Sequence, residues 1–537
     1  MAEPFPGFLR WSMPSVTILG DYLYVDGGEV SRLIDGQVQE PPSTQVNSTL
    51  SLSLKSSWTN STAKWTETSR AGVPKLVKTG FWPDPRTKSF YQWAGSMVYN
   101  AIPPPNQLWR FAADGAGRGS WAEVAVPDAV GFGALVKPAA CASAWGADRV
   151  GYCVSGWLDK ATDTTGSRRI GIPGMVTLDM ETTTFKNVST DGLKDRGIAI
   201  ESHAQSVPFG PRANSSGLLA LFGGMDYDSP QFSFSNLSIY DPEQGRWHWQ
   251  TTTGSRPTGR ERFCHVGAAG DNGTYEIFLY GGIQADPKTT WDDVHILSLP
   301  GFVFFKAPES ALSSSRCDHA CAADGRQMIS VGGAACSVGF PKSLTEPDPW
   351  RQALGVYDMT DLEWKAGFDG TRPAYRTPQV VKDWYAQGGQ RAVSWSSDAM
   401  QRLFSPETRP DSPPGTPLNT PGSADGQATP ASGLSAGATA GIAVGAVAGA
   451  LIIAGLLAFA FLRRRRRRRR RLELASSTHS AKCMAAACHE IQGASFYELQ
   501  APTAELQCHT IMPFEMPGSS RPYYPRRKED PNNVFAG

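Results

Sequence analysis

In this 537-residue chain, histidine and cysteine are the residues whose type and spacing could do chemistry. The run Cys317-Asp318-His319-Ala320-Cys321 sets two thiols around one imidazole, which invites a metal reading. Two Cys and one His fall short of the four ligands of a closed zinc site. Four further histidines, His203, His248, His265 and His295, lie in the same two thirds of the chain. So do Cys141, Cys153, Cys264 and Cys336, which bring the cysteines ahead of residue 440 to six, while Cys483, Cys488 and Cys508 follow it. An even number permits disulfides, and in an oxidising compartment pairing is favoured over metal binding. Cys141 and Cys153 flank a turn at Gly146-Ala147-Asp148, which would set them opposite each other on adjacent antiparallel strands. The chain has no nucleophile elbow, phosphate-binding loop or zinc-protease helix motif. The residues therefore name no catalytic group, no metal set and no cofactor.

The elements that must hold these residues emerge from internal repetition. A pair of small residues closes an apolar run at six places: Gly27-Gly28, Ala94-Gly95, Ser155-Gly156, Gly223-Gly224, Gly281-Gly282 and Gly332-Gly333. Each pair is followed by another apolar strand, at 49–54, 107–111, 175–179, 237–241, 294–299 and 354–358. A large aromatic comes next: Trp65, Trp121, Phe185, Trp247, Phe304 and Trp364. Four-stranded antiparallel units would give this pattern. The small pairs would let strands converge near a central axis, and the aromatics would fill the wider space between sheets. No such unit buries both of its faces, so the array must close into a ring. Composition agrees, with 55 Gly, 40 Pro and 16 Trp, as expected for many short strands joined by turns.

With its glycine pairs and spaced Tyr and Trp, the stretch from Ser15 to Phe368 resembles the kelch repeat, most clearly in repeats 4 to 6. The layout is also similar to fungal membrane-anchored kelch-repeat proteins, on Gly-Asp-Tyr-Leu-Tyr-Val-Asp-Gly-Gly at 20–28 and Ser-Trp-Thr-Asn-Ser-Thr at 57–62. The resemblance implies an all-β, kelch-type β-propeller of six blades, or seven if the termini share a further sheet. It also implies an enzymatic alternative, because galactose oxidase-like copper radical oxidases use such propellers. That chemistry needs two His, two Tyr and a Cys bonded to one Tyr. His265 in Arg262-Phe263-Cys264-His265 and His319 in Arg316-Cys317-Asp318-His319 read as equivalent positions of two repeats, with His203 in repeat 4. The kelch pattern gives that position a structural role.

The rest of the chain reads as a membrane tether. Residues 440–462 carry no charge over 23 positions, enough to cross a hydrocarbon core of ~30 Å. Arg463 to Arg471 follow as a stop-transfer block that stays cytoplasmic. Net charge is +1, so without those nine arginines the rest carries 1 − 9 = −8, which excludes a general nucleic-acid surface. Gly437, Gly441, Gly445 and Gly449 would line one helix face and permit a helix-mediated homodimer. Asn-x-Ser/Thr sequons fall at Asn47, Asn60, Asn187, Asn214, Asn236 and Asn272, all ahead of the span, and glycosylation there requires the secretory lumen. Residues 405–436 form a Pro/Ser/Thr-rich stalk, and 472–537 form a disordered cytoplasmic tail. Residues 1–14 lack the basic and apolar regions of a signal peptide, so the expectation is that a signal-encoding part is missing from this sequence. The propeller is expected over 15–395.

The leading expectation is a single-pass membrane glycoprotein at the plasma membrane or another secretory-pathway membrane, its N-terminal part outside. It would display a non-enzymatic propeller that binds an unidentified extracellular protein or glycan. The loops between second and third strands of each unit, 29–47, 96–106, 158–174, 225–236, 283–293 and 334–352, would carry recognition. The alternatives are a copper radical oxidase or its diverged relic, and a signalling receptor or scaffold acting through tail motifs around Leu499 and Leu506.

Overall fold

The computed structural model describes residues 4–98, 102–127, 131–162, 170–193, 197–210, 217–225, 231–285 and 288–405, all within one unit. Among these residues no helix is long and apolar enough to cross a membrane. The span at 440–462 with its glycines, the arginine block, the tail and nearly all of the stalk lie outside the described residues, as does Asn214.

The fold is all-β and built around six sheets, each with four antiparallel strands taken in sequence order; sheet 3 gains a short fifth strand at Ile170–Gly171 and sheet 5 a short parallel one at Thr253–Gly254. Sheet 1 comprises Ser15–Leu19, Tyr22–Asp26, Ser48–Ser53 and Trp65–Ser69. Sheet 2 comprises Gly80–Asp84, Ser89–Trp93, Leu108–Ala113 and Gly119–Val124. Sheet 3 comprises Ala140–Trp145, Val150–Leu158, Met175–Asp179 and Thr184–Val188. Sheet 4 comprises His203–Val207, Leu218–Phe222, Asn236–Asp241 and Arg246–Thr251. Sheet 5 comprises Cys264–Ala269, Tyr275–Tyr280, Val294–Leu299 and Val303–Lys306. Sheet 6 comprises Ala320–Asp324, Gln327–Val331, Leu354–Asp358 and Glu363–Lys365. The second strands Leu218–Phe222 and Tyr275–Tyr280 are buried throughout, which is why 218–222 and 277–280 read as unbroken apolar runs rather than alternating ones, and Glu276 is buried with them. The fourth-strand aromatics fill the space between sheets: Phe185 of sheet 3 meets Trp93 of sheet 2 at 5.6 Å, and Trp364 of sheet 6 meets Tyr280 of sheet 5 at 4.7 Å.

Four of the six sheets are bonded to the next by a recurring backbone contact. The N–H of the second doublet residue donates to a carbonyl just ahead of the following sheet. Gly95 donates to Pro138 at 3.0 Å, Gly224 to Arg260 at 3.0 Å and Gly282 to Arg316 at 2.8 Å. Gly333 of sheet 6 makes the same bond to Trp11, ahead of sheet 1, at 2.7 Å, so the last sheet joins the first as sheets 2, 4 and 5 join their neighbours. This arrangement is compatible with a β-propeller of six blades.

All twelve doublet residues have positive φ, including Ala94 (58°) and Ser155 (51°). Close packing alone does not account for the small residues; the chain must also turn through the left-handed region, where a Cβ is disfavoured by ~1–2 kcal/mol. Packing adds to this. A Cβ on Gly223 would lie 2.5 Å from the Phe263 ring of sheet 5, and one on Gly281 would lie 2.9 Å from the His319 ring of sheet 6.

The folded unit is wider than 15–395 at both ends. Strand Phe8–Ser12 pairs with Glu29–Ile34, and Trp11 is fully buried between sheets 6 and 1, its Nε1 donating to the Gly27 carbonyl at 2.9 Å. The stretch expected to precede the propeller is thus part of its core. After sheet 6, Gly367–Phe368 pairs antiparallel with Trp58–Thr59, clasping the end of the last sheet to the first. The chain then runs back along the outside. Helix Asp398–Phe404, capped by Ser397 Oγ, buries Met400, Leu403 and Phe404 against Phe209, Phe302 and neighbouring residues of sheets 4 and 5.

Candidate functional site

In a four-stranded antiparallel unit, the loop from second to third strand and the link to the next sheet leave at the same end. Eleven large apolar side chains are exposed among the described residues. Seven of these sit in the loops expected to carry recognition: Leu33, Ile34, Val38, Ile102, Ile170, Val338 and Phe340. Val136 and Leu312 lie in links between sheets, at that same end. Only Trp249, on an outer strand, and Val380, on the C-terminal extension, lie elsewhere. Exposed apolar side chains concentrated on one face mark a contact surface.

These loops are built rather than slack. Within 29–47, Glu29–Ile34 pairs with Gln37–Val38, with Thr44–Gln45 and with Phe8–Ser12. The 334–352 loop is held by Asp348. Its carboxylate receives Arg316 Nη2 at 3.1 Å and faces Arg10, all three side chains being almost fully buried, while the Arg316 guanidinium lies 3.7 Å from the Trp350 ring centroid. Phe340 at the loop's tip is 67% exposed, so a fixed scaffold presents it to solvent.

Where the first strands meet, the residue two positions ahead of the strand takes positive φ in five of the six sheets: Met13, Lys78, Glu201, Arg262 and Asp318, from sheets 1, 2, 4, 5 and 6. Four of the five are charged, and they pair across the axis. Lys78 Nζ lies 2.6 Å from Glu201 Oε1 and 3.4 Å from Asp318 Oδ1, and Arg262 Nε donates to Asp318 Oδ1 at 2.8 Å. Their backbones link as well, Asp318 N–H donating to Arg262 O at 2.9 Å and Met13 N–H to Asp318 O at 2.7 Å. Glu29, buried and bonded by Ser43 Oγ at 2.6 Å, adds a third carboxylate whose proton affinity is raised by burial against the pull of Lys78 and Arg262. The web closes the axial mouth with charges that are largely mutually satisfied.

The three histidines read from the repeats gather just beneath. His203 stacks on Phe263 at 3.9 Å and meets His265 at 5.3 Å, and His265 Nε2 contacts the Ala204 carbonyl at 3.1 Å. Burial holds all three below their ordinary range, His265 at about 4 and His203 and His319 well down. They are not equivalent positions. Arg316 matches Arg260 rather than Arg262, since each donates to the carbonyl of a doublet glycine, Gly332 and Gly281 respectively. That two-residue shift places His319 level with Phe263 and His265 level with Cys321. Similar local spelling, Arg-x-x-His, concealed the offset. His248 lies on the fourth strand of sheet 4, and His295 pairs with Asp293 at 3.1 Å.

All six cysteines among the described residues are paired: Cys141–Cys153, Cys264–Cys321 and Cys317–Cys336, with Cα separations of 5.4, 5.6 and 6.1 Å. Cys153 stands opposite Ser143, not Cys141, because the hairpin turns about Asp148, which pairs Trp145 with Gly151; Cys141 lies at the irregularity between Ala140 and Ala142 and bridges to Cys153 from there. Cys264–Cys321 ties the first strands of sheets 5 and 6, and Cys317–Cys336 ties the 334–352 loop to the strand it faces. Both groupings of three metal-binding residue types among the described residues, Cys264/His319/Cys321 and Cys317/Asp318/Cys336, consist mainly of these bonded sulfurs. A copper radical centre also needs a cysteine available to bond a tyrosine, and in the described residues every cysteine is committed to a disulfide.

Of the sequons, Asn47, Asn187, Asn236 and Asn272 are exposed and Asn60 is half-buried. Sequence reasoning missed the axial charge web. Its members lie 15 to 23 residues ahead of the second doublet residue, a spacing too variable to register as a repeat. No protein-family model matches the chain, and no curated protein matches it.

Proposed function

We propose that the chain is a single-pass membrane glycoprotein whose kelch-type propeller, similar to that of fungal membrane-anchored proteins, is displayed outside the cell as a non-enzymatic protein- or glycan-binding module. Binding takes place on the face formed by the loops between second and third strands. The observation that carries the reading is the gathering of nine of eleven exposed large apolar side chains at that end, on loops held by strand pairing and by the buried Asp348 cluster. Four exposed sequons and the pairing of all six cysteines among the described residues support an exported setting. The uncharged run 440–462 followed by nine arginines supports the tether. The test compares binding of the secreted, glycosylated ectodomain to cell-wall glycan and cell-surface protein preparations with that of two variants. Ile34→Ser/Phe340→Ser on the loop face should abolish binding, whereas Trp249→Ser on the outer strand should leave it intact. Equal binding by all three would overturn the face assignment, and stoichiometric copper with peroxide production would overturn the non-enzymatic reading.

A further inference from the structure

A cleft of about 320 Å³ opens at the outer edge of sheet 6, beside the clasp that joins the last sheet to the first. This is the lower end of the ~300–1,000 Å³ range of small-molecule sites. Trp58, Trp350, Trp364, Leu312, Lys365 and Asn60 are among its lining residues. Asn60 is the acceptor of the sequon Asn60-Ser61-Thr62. Every other sequon asparagine among the described residues is exposed; Asn60 alone is half-buried, against this cleft. The Trp58 indole N–H is buried and has no hydrogen-bond partner among the described residues. Leu312, at 57% exposed, is an apolar side chain in the same lining that none of the described residues covers.

The geometry points to one occupant, the first sugar residues of an N-glycan carried by Asn60 of this same chain. A pyranose ring offers an apolar C–H face to the tryptophans and the leucine of this lining. Seated there, the glycan braces the clasp. Trp58 stacks on Phe368 at 5.3 Å, and the Trp58–Thr59 strand pairs with Gly367–Phe368, so the sugar rests on the seam where sheets 6 and 1 close. The glycan at Asn60 is then a structural latch, unlike those at Asn47, Asn187, Asn236 and Asn272.

The inference rests on the exported reading, and the test separates the two. Glycopeptides of the full-length protein from its native secretory pathway are mapped by mass spectrometry, and the rate of endoglycosidase release is then followed at each site under native conditions. Release at Asn60 should be at least about tenfold slower than at Asn187, which corresponds to about 1.4 kcal/mol of seating. Asn60→Gln should also lower the melting temperature by about 2 °C, while Asn187→Gln leaves it unchanged. Occupied sequons elsewhere with Asn60 bare, or release at Asn60 as fast as at Asn187, would overturn the latch alone. Bare asparagines at every sequon would overturn the exported reading and the latch together.

Discussion

Lys78 lies within 4 Å of two carboxylates from two other sheets, and replacing it tests whether the web holds the ring together. Lys78→Met keeps most of the aliphatic stem and removes the ammonium that lies 2.6 Å from Glu201 and 3.4 Å from Asp318. Breaking a buried pair from one side is unfavourable by ~3–5 kcal/mol, because the remaining charge keeps its desolvation without its partner. Here the Lys78 side chain is 16% exposed and Asp318 retains Arg262, which places the expected loss near the bottom of that range, at about 3 kcal/mol. Lys78→Met/Glu201→Gln removes the stranded charge and should recover about half of the loss, a coupling of the size expected for contacting residues. Lys306→Met serves as the control: its partner Glu309 is 89% exposed, so the change should fall under about 1 kcal/mol. The assay is equilibrium urea unfolding of the glycosylated ectodomain, read from midpoints at unchanged m. A Lys78→Met loss no larger than the Lys306→Met loss would refute the web as a structural element. A double variant as unstable as the sum of its parts would refute the pairing with Glu201.

Gly282→Ala should lose about 2–5 kcal/mol, since φ is 93° and the new Cβ would lie 2.8 Å from the Glu261 carbonyl and from Phe263 Cβ; Gly20→Ala, at φ 63° with nothing within 4 Å, should lose only the conformational part, about 1 kcal/mol. Chemical denaturation of the two variants decides between strain plus contact and strain alone. Burial raises Glu276 to about 7, despite bonds from Ser298 and Tyr375, so the folded state holds a proton that the unfolded chain releases near 4.5; stability from this group is full below about 4.5 and is lost as pH rises through about 7, and Glu276→Gln should flatten that limb. His265 acts in the opposite sense: with a folded value of about 4 it supplies stability that is full above about 6.5 and is lost as pH falls toward 4, a limb that His265→Asn should flatten in the same titration. Removing Cys264–Cys321, which closes a 57-residue separation, should lower stability by about 4 kcal/mol in the chain-entropy account, against about 3 kcal/mol for Cys141–Cys153 with its separation of 12; paired Cys→Ser variants measured by thermal unfolding test the order.

Much of the fold was legible because the repeated unit must satisfy two local constraints that leave marks in sequence. Unbroken apolar runs such as Leu218–Phe222 announce strands buried on both faces, and the small pairs announce a left-handed turn that few residues tolerate. All six doublets and all six fourth-strand aromatics fall where the repeat placed them, and the third strands deviate by a residue or two at their ends. The doublets were read as a packing device alone, whereas Ala94 and Ser155, small but not glycine, show that backbone conformation is shared by all twelve residues and the missing Cβ by ten. What stayed hidden depends on distant partners. Trp11 falls ahead of the propeller expected from the repeats because nothing near it in sequence tells that Gly333 and Gly27 will meet it. The pairings Cys264–Cys321 and Cys317–Cys336 cross between strands whose register cannot be read from spacing. The axial web escaped because charges at Lys78, Glu201, Arg262 and Asp318 change sign from sheet to sheet, so no pattern of residue type repeats.

The claim on which the proposed function stands is that the folded unit and its loop face lie outside the cell while the residues after Arg471 lie within it. Protease protection on intact cells bearing a C-terminal epitope tests this directly. External protease should remove the glycosylated N-terminal part and leave a protected fragment carrying the epitope, which is digested only after the membrane is permeabilised. An epitope destroyed on unpermeabilised cells, or a full-length chain that resists external protease and carries no N-glycan, would contradict the account.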